Sequence, residues 1–215
     1  MKLAVLDFDS TLMDGETIDI LAEQVGKKAQ VEALTDMAMR GQLDFFQSLQ
    51  QRAELLRGMD AALVDEVCHN LPLMPGASEL VAGLKQLGYK VVVFSGGFRN
   101  ATAYYRDLLG YDSEFSNILH HQEGLLTGKV GGDMMFDFSK GDMLLRLQRL
   151  LGISAGETLV CGDGANDVSM FAHAATRIAF CAKPVLQQQA NIIVEHKDLR
   201  QVLEQLDEWQ LLNCA

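Results

Sequence analysis

Five short runs of apolar residues constrain the fold of this chain most strongly, because nearly every position in them is apolar. Such runs suit β-strands that are covered on both faces, as in a parallel sheet. Stretches with leucines at helical spacing lie between them and stop at glycines such as Gly88 and Gly152. The alternation predicts an α/β fold, a Rossmann-like doubly wound parallel sheet with helices on both sides. The predicted strands are residues 3–8, 90–95, 158–162, 177–181 and 191–194.

One region departs from this alternation. Residues 14–71 show four helical patterns and no strand, and the first three patterns end at Gly26, near Gly41 and at Gly58. Glycine and proline residues flank the region, which suits a hinge. We therefore expect a helical-bundle cap, residues 14–71, inserted after the first strand of a catalytic core formed by 1–13 and 72–215. In the core, residues 119–135 predict a hairpin with turns at Glu123-Gly124 and Gly131-Gly132.

The charge of the chain excludes some partners. The sequence has 29 acidic and 18 basic residues, for a net charge of −11. Such a chain lacks the wide basic face of a nucleic-acid binder and is repelled by anionic membrane surfaces. No apolar run approaches the ~20 residues that cross a bilayer. The four cysteines form no CxxC pair, which favours buried, reduced thiols. These features predict a soluble cytoplasmic protein.

Two predicted strands end in carboxylates. The first ends in Asp7-Phe8-Asp9, and the third is followed by Gly162-Asp163-Gly164-Ala165-Asn166-Asp167. Because parallel strands end at the same edge of a sheet, these carboxylates can converge, and their mutual repulsion calls for a cation. Oxygens of Asp7, Asp9 and Asp163 suit Mg²⁺. The alternatives without a metal site are that Asp9 caps a turn, that Asp7 faces solvent, and that the second segment is only a tight acidic turn.

Two further segments could bind phosphate. The second strand leads into Ser95-Gly96-Gly97, where a hydroxyl and freely oriented N–H groups would form an anion cradle. Lys140 lies in the first turn of a predicted helix, where it opposes the helix dipole and so indicates a nearby anion. A plain loop and a solvated surface lysine are the alternatives.

The third cap helix carries an arginine within its apolar stripe. Phe45, Leu49, Arg52 and Leu56 fall on one face, where an unpaired guanidinium would be costly. Arg52 could extend its charge to water, pair with a buried acid, or bind a ligand.

The motifs DFDST, SGG, the lysine of FSKGD and GDGAND, in this order, resemble those of the haloacid-dehalogenase-like phosphatases. Over essentially the full length, including DFDSTLMDGETID and AFCAKP, the chain resembles the phosphoserine phosphatases. The resemblance implies that Asp7 is the nucleophile, that Asp9 is the general acid and base, and that Mg²⁺ is bound by Asp7, Asp163 and the backbone carbonyl of Asp9. It further implies that the phosphoryl group is bound by Ser95, Gly96 and Lys140, with Asp167 orienting Lys140 or a metal-bound water. For the rest of the substrate it implies Glu16, Met39, Phe45, Arg52 and Asn166.

The activity implied is hydrolysis of O-phospho-L-serine to L-serine and phosphate through an aspartyl-phosphate, the last step of serine biosynthesis. Another small phosphomonoester, or transfer of the phosphoryl group to an alcohol such as homoserine, remains an alternative, since any hydroxyl that reaches an aspartyl-phosphate can discharge it. A signalling receiver, which is phosphorylated on aspartate without turnover, is disfavoured because its acceptor is not on the first strand and it has no helical cap.

Overall fold

The computed structural model describes residues 1–39 and 42–213, without the side chains of residue 39 and residues 210–213. Its sheet has seven strands in the order β4-β3-β2-β1-β5-β6-β7. Neighbouring strands are parallel except for the antiparallel pair β3 and β4. The predicted α/β class is confirmed. The strands are β1 (Lys2–Asp7), β2 (Tyr89–Phe98), β3 (Ser113–Gln122), β4 (Leu125–Gly132), β5 (Thr158–Gly162), β6 (Thr176–Phe180) and β7 (Ile192–Val194).

The central strand β1 shows why its sequence is apolar at successive positions. Ala4 and Leu6 belong to one buried cluster, and Leu3 and Val5 belong to a second cluster on the other face of the sheet. All four side chains are fully buried. Helices therefore cover both faces, as the doubly wound prediction requires.

Ten α-helices accompany the sheet in the described part of the chain, and four of them, α1 to α4, lie between β1 and β2. Where the chain enters and leaves these four, Met13 pairs with Leu73 in an antiparallel bridge. This pairing supports the cap division at 14–71, which stays a prediction; the expected helix end near Gly41 lies outside the described residues. The helices are α1 (Thr17–Gln24), α2 (Lys28–Met39), α3 (Phe45–Leu55), α4 (Ala61–His69), α5 (Ala77–Gln86), α6 (Arg99–Leu109), α7 (Ser139–Leu151), α8 (Val168–Phe171), α9 (Pro184–Gln187) and α10 (Arg200–Asn213).

The hairpin was predicted only in part. Glu123 and Gly124 form the turn, both with positive φ (52° and 79°), as a tight hairpin turn requires. The predicted turn at Gly131-Gly132 is wrong, since these residues continue β4 and pair with Ile118 and Asn117. None of the described helices is long and apolar enough to span a membrane.

The topology sets the position of the site. β1 pairs with β2 on one side and with β5 on the other, so the chain order reverses around it. In open parallel sheets, ligands bind beyond the carboxyl ends of the strands at such a reversal. Here that edge carries Asp7 from β1, Ser95 from β2 and the loop after Gly162 of β5.

Candidate active site

Three carboxylates meet at this edge of the sheet. Asp7, Asp163 and Asp167 each offer one oxygen, and these oxygens all lie within 4.8 Å of one another. Burial, with the charge of Asp167, raises the pKa of Asp7 well above its ordinary value. The same two causes raise the pKa of Asp163 to about 7. Carboxylates this close are stabilised by a cation between them, and a set of hard oxygens fits Mg²⁺.

Lys140, the second residue of α7, lies against this group. It is buried, and its Nζ lies 2.8 Å from Asp7 Oδ1 and 2.6 Å from Asp167 Oδ1. The two carboxylates raise the pKa of Lys140 despite the opposing effect of burial, so the ammonium stays charged. Lys140 is therefore not the solvated surface lysine considered from the sequence.

Asp167 connects the lysine to the loop after β5. Its Oδ2 accepts hydrogen bonds from the backbone N–H groups of Asp163 and Gly164, each at 3.0 Å. A Cβ atom at Gly162 would overlap the Asp167 carboxylate, so only glycine fits there. Asp167 is fully buried and fixes both the ammonium of Lys140 and the backbone that carries Asp163.

The carboxylate of Asp9 lies outside the three-carboxylate group. Its Oδ1 accepts hydrogen bonds from the backbone N–H (2.8 Å) and the hydroxyl of Thr17, and its Oδ2 accepts one from Ser95 Oγ at 3.1 Å. The third carboxylate near Asp7 and Asp163 is thus that of Asp167. Asp9 as a ligand through its backbone carbonyl stays a prediction.

The carboxyl end of β2 is fixed by Ser95 and by Asn117, and the sequence analysis missed Asn117. Ser95 Oγ accepts a hydrogen bond from Gly97 N–H at 2.9 Å. The Asn117 amide on β3 donates to the carbonyls of Gly96 (3.0 Å) and Met134 (3.1 Å), and its oxygen accepts from Met134 N–H at 3.0 Å. Asn117 and Thr17 belong to none of the four sequence motifs. The sequence analysis missed them because their roles depend on contacts between separate structural elements.

A cavity of about 440 Å³ joins the carboxylate group to the cap. Ser95, Lys140 and Asp167 are buried and do not line it. Met39 was also predicted for this site, but its side chain lies outside the described residues. The predicted residues on the cavity wall are Asp7, Asp9, Glu16, Phe45, Arg52, Gly96, Asp163 and Asn166.

Arg52 and Glu16 supply charges at the cap end of this cavity. Arg52 is half-buried and its Nε donates to the Ser48 carbonyl at 3.3 Å, and no carboxylate among the described residues forms an ion pair with it. Burial lowers its pKa from the ordinary value, against the charges of Glu16 and Asp19. Glu16 is open to the cavity and accepts a hydrogen bond from Ser10 Oγ at 2.8 Å. Desolvation of the carboxyl, with the charge of Asp9, raises its pKa to about 8, and a cation bound beside it would favour its charged form.

This pair of charges suits an amino acid. A half-buried guanidinium without a carboxylate partner can bind a substrate carboxylate, and a nearby glutamate can bind an ammonium. Of the phosphate-binding candidates, Gly96 lines the same cavity, and Ser95 and Lys140 contact its wall residues Asp9 and Asp7. The site can therefore hold a small molecule with a phosphoryl group at one end and both charges of an amino acid at the other.

Comparisons with known proteins agree with this geometry. A sequence model of the family described as haloacid dehalogenase-like hydrolase matches residues 1–175. The chain is 63% identical to the phosphoserine phosphatase of Wolinella succinogenes, covering 96% of this chain and 100% of the relative. It is 42% identical to that of Methanocaldococcus jannaschii, covering 94% and 96%.

Among solved structures, a phospho-aspartyl intermediate analogue of phosphoserine phosphatase superposes with a TM-score of 0.89 at 42% identity, covering 94% of this chain and 97% of that one. A substrate-bound phosphoserine phosphatase complex gives a TM-score of 0.89 at 41% identity, with the same coverage. The chain belongs to the haloacid dehalogenase-like hydrolases and, within them, to the phosphoserine phosphatases.

Proposed function

We propose that this protein hydrolyses O-phospho-L-serine to L-serine and phosphate, the last step of serine biosynthesis, through an aspartyl-phosphate on Asp7. One observation carries the proposal: a single cavity joins the Asp7 carboxylate to the Arg52 and Glu16 side chains of the cap. A phosphatase for generic phosphomonoesters would not need a guanidinium and a carboxylate at the far end of the cavity. The family relationship supports the same activity.

In the first step, Asp7 attacks phosphorus. Its Oδ1 accepts hydrogen bonds from Lys140 Nζ (2.8 Å) and Phe8 N–H (2.7 Å), whereas no described protein group donates to Oδ2. Oδ2 is therefore the oxygen that forms the new bond to phosphorus. The bond from phosphorus to the serine oxygen breaks, and that oxygen takes the proton of the Asp9 carboxyl.

In the second step, the Asp9 carboxylate takes a proton from a water molecule as that water attacks phosphorus. The Asp7–phosphorus bond breaks, which restores the Asp7 carboxylate and releases phosphate. Thr17 and Ser95 hold the Asp9 carboxyl at fixed positions for both proton transfers. Splitting one difficult displacement into two in-line displacements is the advantage of a covalent route.

Charge on the phosphoryl oxygens must be stabilised throughout. We expect Ser95, the Gly96 N–H and Lys140 to bind these oxygens: Gly96 lines the cavity, and Ser95 and Lys140 contact its wall residues Asp9 and Asp7. Mg²⁺ held by Asp7, Asp163 and the Asp9 carbonyl would neutralise phosphoryl charge and reduce its repulsion from Asp7. Closing the cap over the cavity excludes bulk water and admits only small substrates.

The substrate is tested by comparing phosphoserine with a generic aryl phosphate, in excess Mg²⁺. For Asp7→Asn we expect turnover of both substrates to fall below detection. For Arg52→Ala we expect KM for phosphoserine to rise ~10–100-fold, as the loss of a charge-assisted contact implies, with little change for the aryl phosphate. Arg57→Ala is the matched control, since Arg57 lies near the end of the same helix but is exposed and paired with Glu54.

Equal losses for both substrates in Arg52→Ala would make Arg52 structural and remove the main support for phosphoserine. The same assay with homoserine added tests the phosphotransferase alternative, since transfer yields a phosphorylated acceptor instead of free phosphate. We place the reaction in the cytoplasm, in agreement with the free thiols of Cys68, Cys161 and Cys181.

A further inference from the structure

Three phenylalanine rings bridge the cap and the core. Phe46, in the first turn of α3, stacks on Phe136 with 5.2 Å between ring centroids and 15° between ring planes. Phe136 stacks in turn on Phe138, at 5.2 Å and 4°. Phe136 and Phe138 are 44% and 53% exposed, so neither belongs to the hydrophobic core. We call these three rings the aromatic stack.

The aromatic stack lies at the edge of the catalytic cavity. Phe45, next to Phe46, lines the cavity and packs on the carboxyl end of β2, where a Cβ atom at Gly96 would lie 3.1 Å from its ring. Asp137, between the two core phenylalanines, also lines the cavity. The stack therefore connects two segments that both line the cavity, one from the cap and one from the core.

The part of the cap that follows α3 is attached to the core by hydrogen bonds. The segment between α3 and α4 pairs with β4: Gly58 N–H donates to Leu126 O (2.9 Å), and Leu126 N–H donates to Met59 O (2.8 Å). Asn100 of α6 donates to Asp65 of α4 at 2.6 Å. This part also has an aromatic contact, between His69 of α4 and Tyr104 of α6, at 4.1 Å.

The part near the aromatic stack has no such attachment. Within residues 28–39 and 42–52, every hydrogen bond and ion pair that the structure gives stays inside the cap. This segment contacts the core by packing alone, so separating it from the core breaks no hydrogen bond between them. Substrate must enter a cavity that the cap covers. Opening the cap at this segment should require the least free energy, because it breaks no hydrogen bond to the core.

We propose that Phe46, Phe136 and Phe138 act as a latch, which holds the start of α3 against the core and so positions Phe45 over Gly96. Breaking the aromatic stack opens the cavity for substrate entry and product release, while the part that includes α4 stays in place. The inference rests on the proposed function in so far as the cavity is the phosphoserine site. A pair of stacked rings shifts such an equilibrium by about two- to tenfold.

Amide hydrogen exchange in the free protein tests the latch without any substrate. The informative amides are those of Gly96, which lies under the Phe45 ring, and of its neighbour Gly97, both on the cavity wall that the cap covers. We expect Phe136→Leu to raise their exchange rates about two- to tenfold relative to the amides of α4. Phe136→Tyr keeps the stack and should restore the wild-type rates. Tyr104→Leu is the matched control, since it removes a half-exposed cap–core stack in the attached part and should leave these rates unchanged.

Steady-state kinetics supply the second measurement. In Phe136→Leu the KM for phosphoserine should rise about two- to tenfold without an equal fall in kcat, because the chemistry of Asp7 is untouched. Unchanged exchange at Gly96 and Gly97 in Phe136→Leu, or an equal change in Tyr104→Leu, would overturn the latch. If wild-type protein failed to hydrolyse phosphoserine, the proposed function would fail while the exchange result still decided the latch.

Discussion

Removing Mg²⁺ should make the stability of this protein fall as pH rises, because the site then holds carboxylates without a cation. Asp163 shows the effect most clearly, since burial and the charge of Asp167 raise its pKa from 3.8 to about 7. Between those two pH values the folded protein binds a proton that the unfolded chain has lost. The free energy of unfolding therefore decreases with rising pH across this window.

The size of this loss in unfolding free energy follows from the raised pKa of Asp163. A rise of about three pH units (7 − 3.8) corresponds to about 4 kcal/mol at the most, at ~1.4 kcal/mol per pH unit. Water entry and relaxation around a half-buried carboxyl reduce this penalty, so we expect a loss of about 2 kcal/mol. For a chain of this size, that lowers Tm by about 4–8 °C.

The assay is thermal unfolding in EDTA between pH 4 and pH 8, repeated in excess Mg²⁺. Asp163→Asn is the matched variant, because it removes this titration and keeps the size of the side chain. The wild-type Tm should fall relative to that of Asp163→Asn as pH rises in EDTA, and Mg²⁺ should restore the wild-type protein selectively at pH 8. Parallel curves for the two proteins in EDTA would refute the reasoning.

Three further substitutions test the supports of the site. Asp167→Asn leaves Lys140 with one carboxylate partner and weakens the hydrogen bond that fixes the Asp163 backbone. In a Mg²⁺ titration of turnover, we expect kcat to fall at least about tenfold and the Mg²⁺ concentration for half-maximal rate to rise. Gly162→Ala places a Cβ atom against the Asp167 carboxylate, which should cost about 1–3 kcal/mol in urea unfolding, and a loss below 0.5 kcal/mol would contradict the packing described. Asn117→Ala removes three hydrogen bonds that fix the Gly96 and Met134 backbone. Inhibition by inorganic phosphate should weaken about tenfold. An unchanged inhibition constant would show that other contacts fix the backbone at Gly96.

Much of the fold follows from local sequence pattern. The apolar strands are recognisable because both faces of the sheet are buried, as Leu3 and Ala4 show by packing into opposite clusters. The start of β3 at Ser113 was not predicted, since its first residues, Ser113 and Glu114, are polar and break the apolar pattern. The turn at Gly131-Gly132 was wrong because paired glycines there follow the strand instead of reversing it.

The residues of the candidate site could likewise be predicted only in part from the sequence. Asp7 and Asp163 could be placed at one edge of the sheet because both follow apolar strands, and strand direction brings their ends together. Thr17 and Asn117 could not, since their hydrogen bonds to Asp9 and Gly96 depend on how the cap and β3 pack on the core. Nothing in the spacing of the sequence encodes those contacts.

The most direct test of the account is to identify the residue that carries phosphate during turnover. Protein quenched in acid during hydrolysis of phosphoserine labelled at phosphorus should carry the label on Asp7, located by mass spectrometry after proteolysis. The label should be absent from Asp7→Asn and from protein treated with EDTA. Label on another residue, or turnover by wild-type protein without any trapped label on Asp7, would contradict the central claim that Asp7 attacks phosphorus.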